Sequence, residues 1–281
     1  MLYKMYSKMI NFINLLKFKL IRIIESNPRI NLIIYNNISL FKLFLPHEKD
    51  YYGIKLLINN KKNDSIVDVG GNLGISAMGF RKLGFINKIY LFEPNKYLFK
   101  NFIKKKLVKN YKNIHAFNFA LGEKNEIKNF YYPYYKNSCL HYFCSFNKNY
   151  IKNSLRITFK KKKFKIINKP ISIVKFDEMN INYKIKLIKI DVEGYDFEVL
   201  KGMKKNIKKN KPIILVEFNK NNFFKIKKFL KEYKAWVFFY QKKEFKIFNK
   251  NMIDREISRT NRSNLMSIRN VFFIPNAHKW T

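Results

Sequence analysis

The chain is poor in several residue types. Two cysteines, Cys139 and Cys144, exclude a disulfide scaffold and a four-cysteine zinc site. They read as free thiols, because their spacing completes no metal motif. Nine glycines and seven prolines exclude collagen-like and low-complexity linker proteins. No apolar run approaches the roughly 18 residues that span a bilayer. Acids are scarce: 58 Lys and Arg stand against 19 Asp and Glu, and 58 − 19 gives +39.

Hydrophobic residues make up 47% and charged residues 27% of the 281. That balance builds a core and excludes whole-chain disorder. The length allows one large domain or two small ones. The charge points to nucleic acid or an anionic membrane surface. It is spread along the chain and carried mostly by lysine, among many Asn, Ile, Tyr and Phe. That diffuse pattern favours compositional drift over a binding stripe.

Residues 1–62 read as an N-terminal helical and entry segment, and 63–281 as one domain with an insertion at about 123–175. Met5, Met9, Phe12, Leu16, Leu20 and Ile23 recur at helical spacing. Charges interrupt the stretch and no small-residue cleavage site follows, so it is a poor signal peptide. It reads either as a helix capping the domain or as a basic amphipathic helix on a membrane surface. Localisation is expected to be cytoplasmic, and the membrane-helix reading adds peripheral contact at the inner membrane face through residues 1–25.

A helix is expected near Tyr52–Ile58. From residue 65 strands and helices alternate: strand Ser65–Val69, helix Ile75–Leu83, strand Lys88–Phe92, a helix to about Lys106, strand Ile114–Phe119. The alternation resumes at Leu187–Ile190, Phe197–Lys204, Ile213–Phe218, Phe223–Lys231 and Ala235–Tyr240, with a last strand at Asn270–Ile274. This implies right-handed βαβ units and a mostly parallel sheet. The insertion, with weak alternation around Ile127–Tyr132 and Arg156–Ile167, reads as short antiparallel strands and loops.

Three stretches carry chemistry. In Val67-Asp68-Val69-Gly70-Gly71-Asn72-Leu73-Gly74, a buried strand turns into a helix through glycines that let backbone approach a ligand. The dinucleotide spacing of glycines fails in both frames, and no Gly-Lys-Ser/Thr follows. An acid before the glycines suits a cationic or hydroxyl-rich ligand better than a pyrophosphate. Glu93, 25 residues after Asp68, ends the next strand, where an acid can accept from both ribose hydroxyls. Third, Asp191, Glu193, Asp196 and Glu198 cluster within eight residues after a buried strand. Asp196 fits helix capping, Asp191 fits a ligand crevice at strand ends, and Glu193 fits either.

These residues resemble the FkbM family of S-adenosylmethionine-dependent methyltransferases. Val67–Gly74 resembles its cofactor loop, Phe92-Glu93-Pro94-Asn95 its second motif, and Ile188–Gly194 through Leu200-Lys201-Gly202 its most characteristic stretch. Asn118–Gly122, Phe176-Asp177-Glu178, Pro212–Glu217 and Asn270–Pro275 follow in order. The second loop glycine replaces the usual Ala, and the insertion keeps little of the family pattern.

The resemblance implies an α/β, Rossmann-like doubly wound seven-stranded methyltransferase sheet and O-methylation of a sugar, glycan or other small-molecule hydroxyl. It implies that Asp68, Gly70, Gly71, Asn72 and Gly74 hold the methionine part of S-adenosylmethionine. Glu93 would bind the ribose, and Asn118 or Phe119 would flank the adenine. Asp191 and Glu193 would face the methyl group and acceptor, with Asp191 also touching the cofactor. Removing the acceptor's proton calls for a base, and the candidates are Asp191, Glu193 and His141. Alternatively, acids and His hold a divalent metal. An RNA methyltransferase is the competing enzyme reading. Against it, the Asp/Asn-Pro-Pro-Tyr motif is absent and acids at the crevice would repel phosphates. A catalytically inactive binding scaffold is the non-enzymatic alternative.

Overall fold

The computed structural model describes residues 49–58, 63–159, 163–258 and 268–278. The amphipathic stretch 1–25 lies outside the described residues. No helix among the described residues is long and apolar enough to cross a membrane.

Helix α1 (Tyr51–Leu57) precedes strand β1 (Asp64–Val69), helix α2 (Ile75–Lys82) and strand β2 (Lys88–Phe92). Helix α3 starts at Lys96–Leu98 and continues as a wide π-helical segment over Phe99–Val108, leading to strand β3 (Ile114–Phe117). After a small second sheet come β8 (Lys184–Ile190), α5 (Asp196–Gly202), α6 (Lys204–Asn210) and β9 (Ile213–Glu217). The chain ends with α7 (Lys220–Phe229), β10 (Tyr233–Phe239), β11 (Glu244–Ile247), α8 (Lys250–Ser258) and β12 (Asn270–Pro275).

The main sheet runs β11-β10-β12-β9-β8-β1-β2-β3. From β9 to β3 the pairings are parallel; β12 runs antiparallel to both β9 and β10. This is the expected doubly wound sheet with an eighth strand added at one edge. Strand β11 pairs back on β10 through a tight turn at Lys242 and Lys243. Its residues, Glu-Phe-Lys-Ile, are half-buried or exposed, so no run of buried positions announces it in the sequence.

Alternation along the central strands sends side chains to two different cores. Val67, Val69, Ile188 and Ile190 face α5, α6 and α7, through Val199, Leu200, Ile207 and Ile226. Ile66, Ile89, Leu91 and Leu187 face α1, α2 and α3, through Ile54, Phe80 and Ile103. With both faces covered, β1 is buried along its whole length, including Asp64 and Asp68.

The insertion is more regular than short strands and loops. Strands β4 (Ala120–Leu121), β5 (Glu126–Tyr135), β6 (Ser138–Cys139) and β7 (Lys165–Val174) form a second sheet in the order β4-β7-β5-β6. β5 and β7 pair from Glu126↔Ile173 to Tyr134↔Lys165. Part of the Arg156–Ile167 stretch, read as alternating, belongs instead to helix α4 (Lys148–Phe159). Ile151, Leu155 and Phe159 recur every fourth residue and pack with Leu140 in a separate apolar cluster, which overrides the short alternation that follows them.

Candidate active site

Sheet register assembles the site. Val69 pairs with Phe92 on one side and with Ile190 on the other. Gly70, Glu93 and Asp191, each the residue that follows its strand, therefore come out level at the carboxyl ends of three adjacent parallel strands. Successive connections from β1 run one way to β2 and β3, while β8 and β9 lie on its other side. That reversal of strand order opens a crevice. The cavity there holds about 690 Å³ of empty space, including solvent at its mouth, and its wall includes Gly70, Asn72, Glu93, His141, Asp191 and Glu193.

The loop after β1 is moulded against its neighbours. Gly70 has φ +87°, and a Cβ there would lie 2.0 Å from the carbonyl oxygen of Asp191. The N–H groups of Gly70 and Gly71 both donate to the carbonyl of Phe92, each at 3.0 Å. Asn72, at φ +49°, donates its N–H to Glu93 Oε2 at 2.7 Å, and the N–H of Asn95 donates to Oε1 at 2.7 Å. Glu93 is only 5% exposed. Burial raises its pKa to about 7 against the lowering effect of those two N–H groups.

The sequence places Asp68 on the ligand; the fold places it behind the loop. It is fully buried, accepts from the hydroxyl of Ser76 in the first turn of α2, and lies 3.9 Å from Lys189 Nζ. Lys189, itself buried, also reaches Asp191 Oδ2 at 3.2 Å. One ammonium thus links the acid under the loop to the acid on the cavity wall. Gly71 and Gly74 are likewise absent from the wall; Cβ atoms there would strike Leu91 and Leu107. Asn118 is exposed, and its Nδ2 donates to the carbonyls of Glu93 and Pro94 at 2.9 and 3.2 Å. Phe119 packs on Phe92 and Phe117. Both residues support the turn after β2 without lining the cavity.

The acids after β8 sit on a strained turn. Glu193 has φ +53° and Gly194 φ +89°. Burial, with Glu217, Asp191 and Asp196 nearby, pushes the Glu193 carboxyl up, and Tyr150 opposes that. Ser145 from the insertion donates to the Glu193 carbonyl at 2.8 Å. Asp196, 2% exposed, accepts from the Val192 N–H and from Asn222. Burial, then the charge of Asp191, raises it to about 6.

The insertion builds the outer wall, through Phe130, His141, Tyr142, Cys144 and Phe146. It also joins the two cysteines, read as unrelated free thiols, to His141. A 3-10 turn over His141–Phe143 folds Cys144 back towards Cys139. One ligand-type atom from each of Cys139, His141 and Cys144 lies within 4.8 Å of the others. Cys139 is lowered to about 6, chiefly by the Cys144 thiol and then by His141, although burial opposes this. The signal missed in the sequence is Cys-x-His-x-x-Cys, which only a tight turn can close.

The family described as Methyltransferase FkbM domain matches residues 68–247. Among solved structures, a methyltransferase FkbM from Methylobacillus flagellatus KT is 13% identical, with 92% of this chain and 58% of that chain covered and a TM-score of 0.46. The present chain therefore spans little more than half of that protein's length. A precorrin-6y C5,15-methyltransferase from Geobacter metallireducens GS-15 is 12% identical, with 80% and 83% covered and a TM-score of 0.38. No curated protein matches the chain.

Proposed function

Because the chain belongs to the FkbM methyltransferase family, we propose that it transfers a methyl group from S-adenosylmethionine to a hydroxyl of a sugar, glycan or other small molecule. The observation that carries this reading is Glu93. It is a nearly buried carboxylate at the tip of β2, clamped by two backbone N–H groups and forming part of the cavity wall. Each N–H occupies one direction at its oxygen, and a carboxylate has about four acceptor sites. Two adjacent hydroxyls of a ribose suit the remainder.

The residues present fit the cofactor. The cavity lies at the ends of three adjacent parallel strands, and its wall carries Gly70, Asn72, Glu93 and Asp191. When bound, S-adenosylmethionine supplies a methyl group on a positively charged sulfur, ready for in-line displacement.

The chain's own work is binding, orientation and proton removal. Gly70 and Asn72 let the loop approach the ligand's amino-acid end closely. Asn118, through the carbonyls of Glu93 and Pro94, holds the turn that presents Glu93. Asp191, paired with Lys189, is the base for the acceptor hydroxyl. Glu193, with its carboxyl pushed up, holds a proton and hydrogen-bonds the acceptor. The aromatic wall of Phe130, Tyr142 and Phe146 excludes water and offers ring faces to a sugar. Holding the acceptor oxygen in line contributes about 7–11 kcal/mol, and a positioned base about 10²–10⁴-fold.

Calorimetric titration with S-adenosylhomocysteine, with NADH as control, tests the reading. Micromolar binding of the former alone, weakened at least about tenfold by Glu93→Ala, supports it. Equal binding of both ligands, or of neither, rejects it.

A further inference from the structure

We propose that Cys139, His141 and Cys144 form a zinc site whose fourth coordination position opens onto the cavity. The three donors come from one short segment, and its geometry explains how. Cys139 ends β6, and alternation sends the next residue, Leu140, into the apolar cluster with Ile151, Leu155 and Phe159. His141 returns to the side of Cys139. The turn then closes through Phe143 N–H to Leu140 O at 3.0 Å and Cys144 N–H to His141 O at 3.3 Å, bringing the second thiol alongside.

Their separation suits a metal. Zinc bonds of about 2.0–2.3 Å in a tetrahedron put ligand atoms about 3.3–3.8 Å apart. The observed atoms all lie within 4.8 Å of one another, about 1 Å beyond that spacing at most. Two thiolates and an imidazole are soft and borderline donors that select zinc over magnesium or calcium. Zn²⁺ takes both sulfurs as thiolates, and two thiolates with one dication leave a neutral centre, which a largely apolar wall tolerates.

Residues outside the triad already hold His141 in place. Tyr97 stacks on the His141 ring at 4.6 Å and 4°. Asn95 is itself fixed, because its Oδ1 accepts the Tyr97 N–H at 3.1 Å in capping α3. That bond assigns the amide, so Nδ2 is the atom 3.0 Å from His141 Nδ1 and 3.9 Å from Cys144 Sγ. An amide nitrogen only donates, so Nδ1 accepts and its lone pair is taken by Asn95; a metal on His141 displaces this hydrogen bond. The triad is thus tied to the tip of β2, two residues from Glu93. His141 and Cys144 lie on the cavity wall while Cys139 does not, so the position left open by three protein ligands points inward. Three protein ligands and one open position is the arrangement of catalytic zinc, and the open position suits an oxygen donor such as an acceptor hydroxyl.

The test uses the full chain, purified reduced. After metal removal it is titrated with Co²⁺ and with Zn²⁺ while S-adenosylhomocysteine binding is measured in parallel, so failure of the metal site and failure of the cofactor site are seen separately. The expected result is thiolate-to-cobalt charge transfer with the visible bands of a tetrahedral ion, displaced by zinc. Zinc should bind at about one per chain, falling below about a tenth in Cys139→Ser/Cys144→Ser, with circular dichroism checking the fold. Cobalt bound without thiolate charge transfer, zinc retained by the double variant, or reduced protein that takes up neither metal would each overturn the proposal.

Discussion

Gly70 and the carbonyl oxygen of Asp191 are in such close approach that one methyl group would separate their strands: a Cβ on Gly70 would come within 2.0 Å of that oxygen. The glycine loop after β1 and the acid-bearing loop after β8 are therefore one packed unit.

Gly70→Ala is expected to cost more than about 3 kcal/mol, because it adds that clash to a φ of +87°. Gly84 provides the comparison. Its φ is +89° and nothing lies within 4 Å of a Cβ there, so Gly84→Ala should cost only the roughly 1–2 kcal/mol of left-handed backbone. Urea unfolding of both variants measures the difference, and equal costs would refute the packed-unit account.

Cofactor affinity should depend on pH through Glu93. Its carboxyl, raised to about 7 by burial, is mostly protonated at pH 6 and mostly ionised at pH 8, and only the ionised form accepts from both hydroxyls. S-adenosylhomocysteine should bind about tenfold more weakly at pH 6 than at pH 8. Glu93→Gln should bind weakly at both. Isothermal calorimetry at the two values decides, and a flat wild-type profile contradicts the assignment.

Asp196 should make folding stability depend on acid. It sits at 3.8 ordinarily and at about 6 in the folded chain. Its raised value means that the folded chain keeps a proton which the unfolded chain has released. Its contribution is complete below pH 3.8 and is lost as pH rises through about 6. The difference corresponds to on the order of 3 kcal/mol. Asp196→Asn should remove this slope, so wild type minus variant stability should fall between pH 4 and pH 7. A constant difference over that window would count against it.

Asp191→Asn should lower methyl transfer by at least about 10²-fold while S-adenosylhomocysteine affinity stays within a few-fold. Labelled methyl incorporation into a panel of glycosides, alongside calorimetry, separates the two. A large loss of cofactor affinity would make Asp191 part of the cofactor site.

Much of this was legible before the fold was known, and for a local reason. Strand, glycine turn and helix are encoded by short-range patterns: the buried run at Ile66–Val69, the glycines after it, and the acid that ends each neighbouring strand. Parallel pairing then needs only register to bring Gly70, Glu93 and Asp191 level. Helix α4 is obscured because the short alternation after it, at Phe164, Lys165 and Ile166, competes with apolar residues spaced four apart. Strand β11 is not legible because its residues, Glu-Phe-Lys-Ile, are half-buried or exposed and carry no buried pattern.

By itself, the sequence determined the doubly wound order of elements and the three strand ends where ligand chemistry is concentrated, because hydrophobic period, glycine and terminal acids act over a few residues. Tertiary structure alone decided which of those residues reach the cavity. Asp68 is turned behind the loop by Ser76 and Lys189, while Asn118 and Phe119 support the site from outside it. It also decided that Cys139, His141 and Cys144 meet, since their convergence depends on a single turn packed against Asn95 and Tyr97, contacts made between segments more than 40 residues apart.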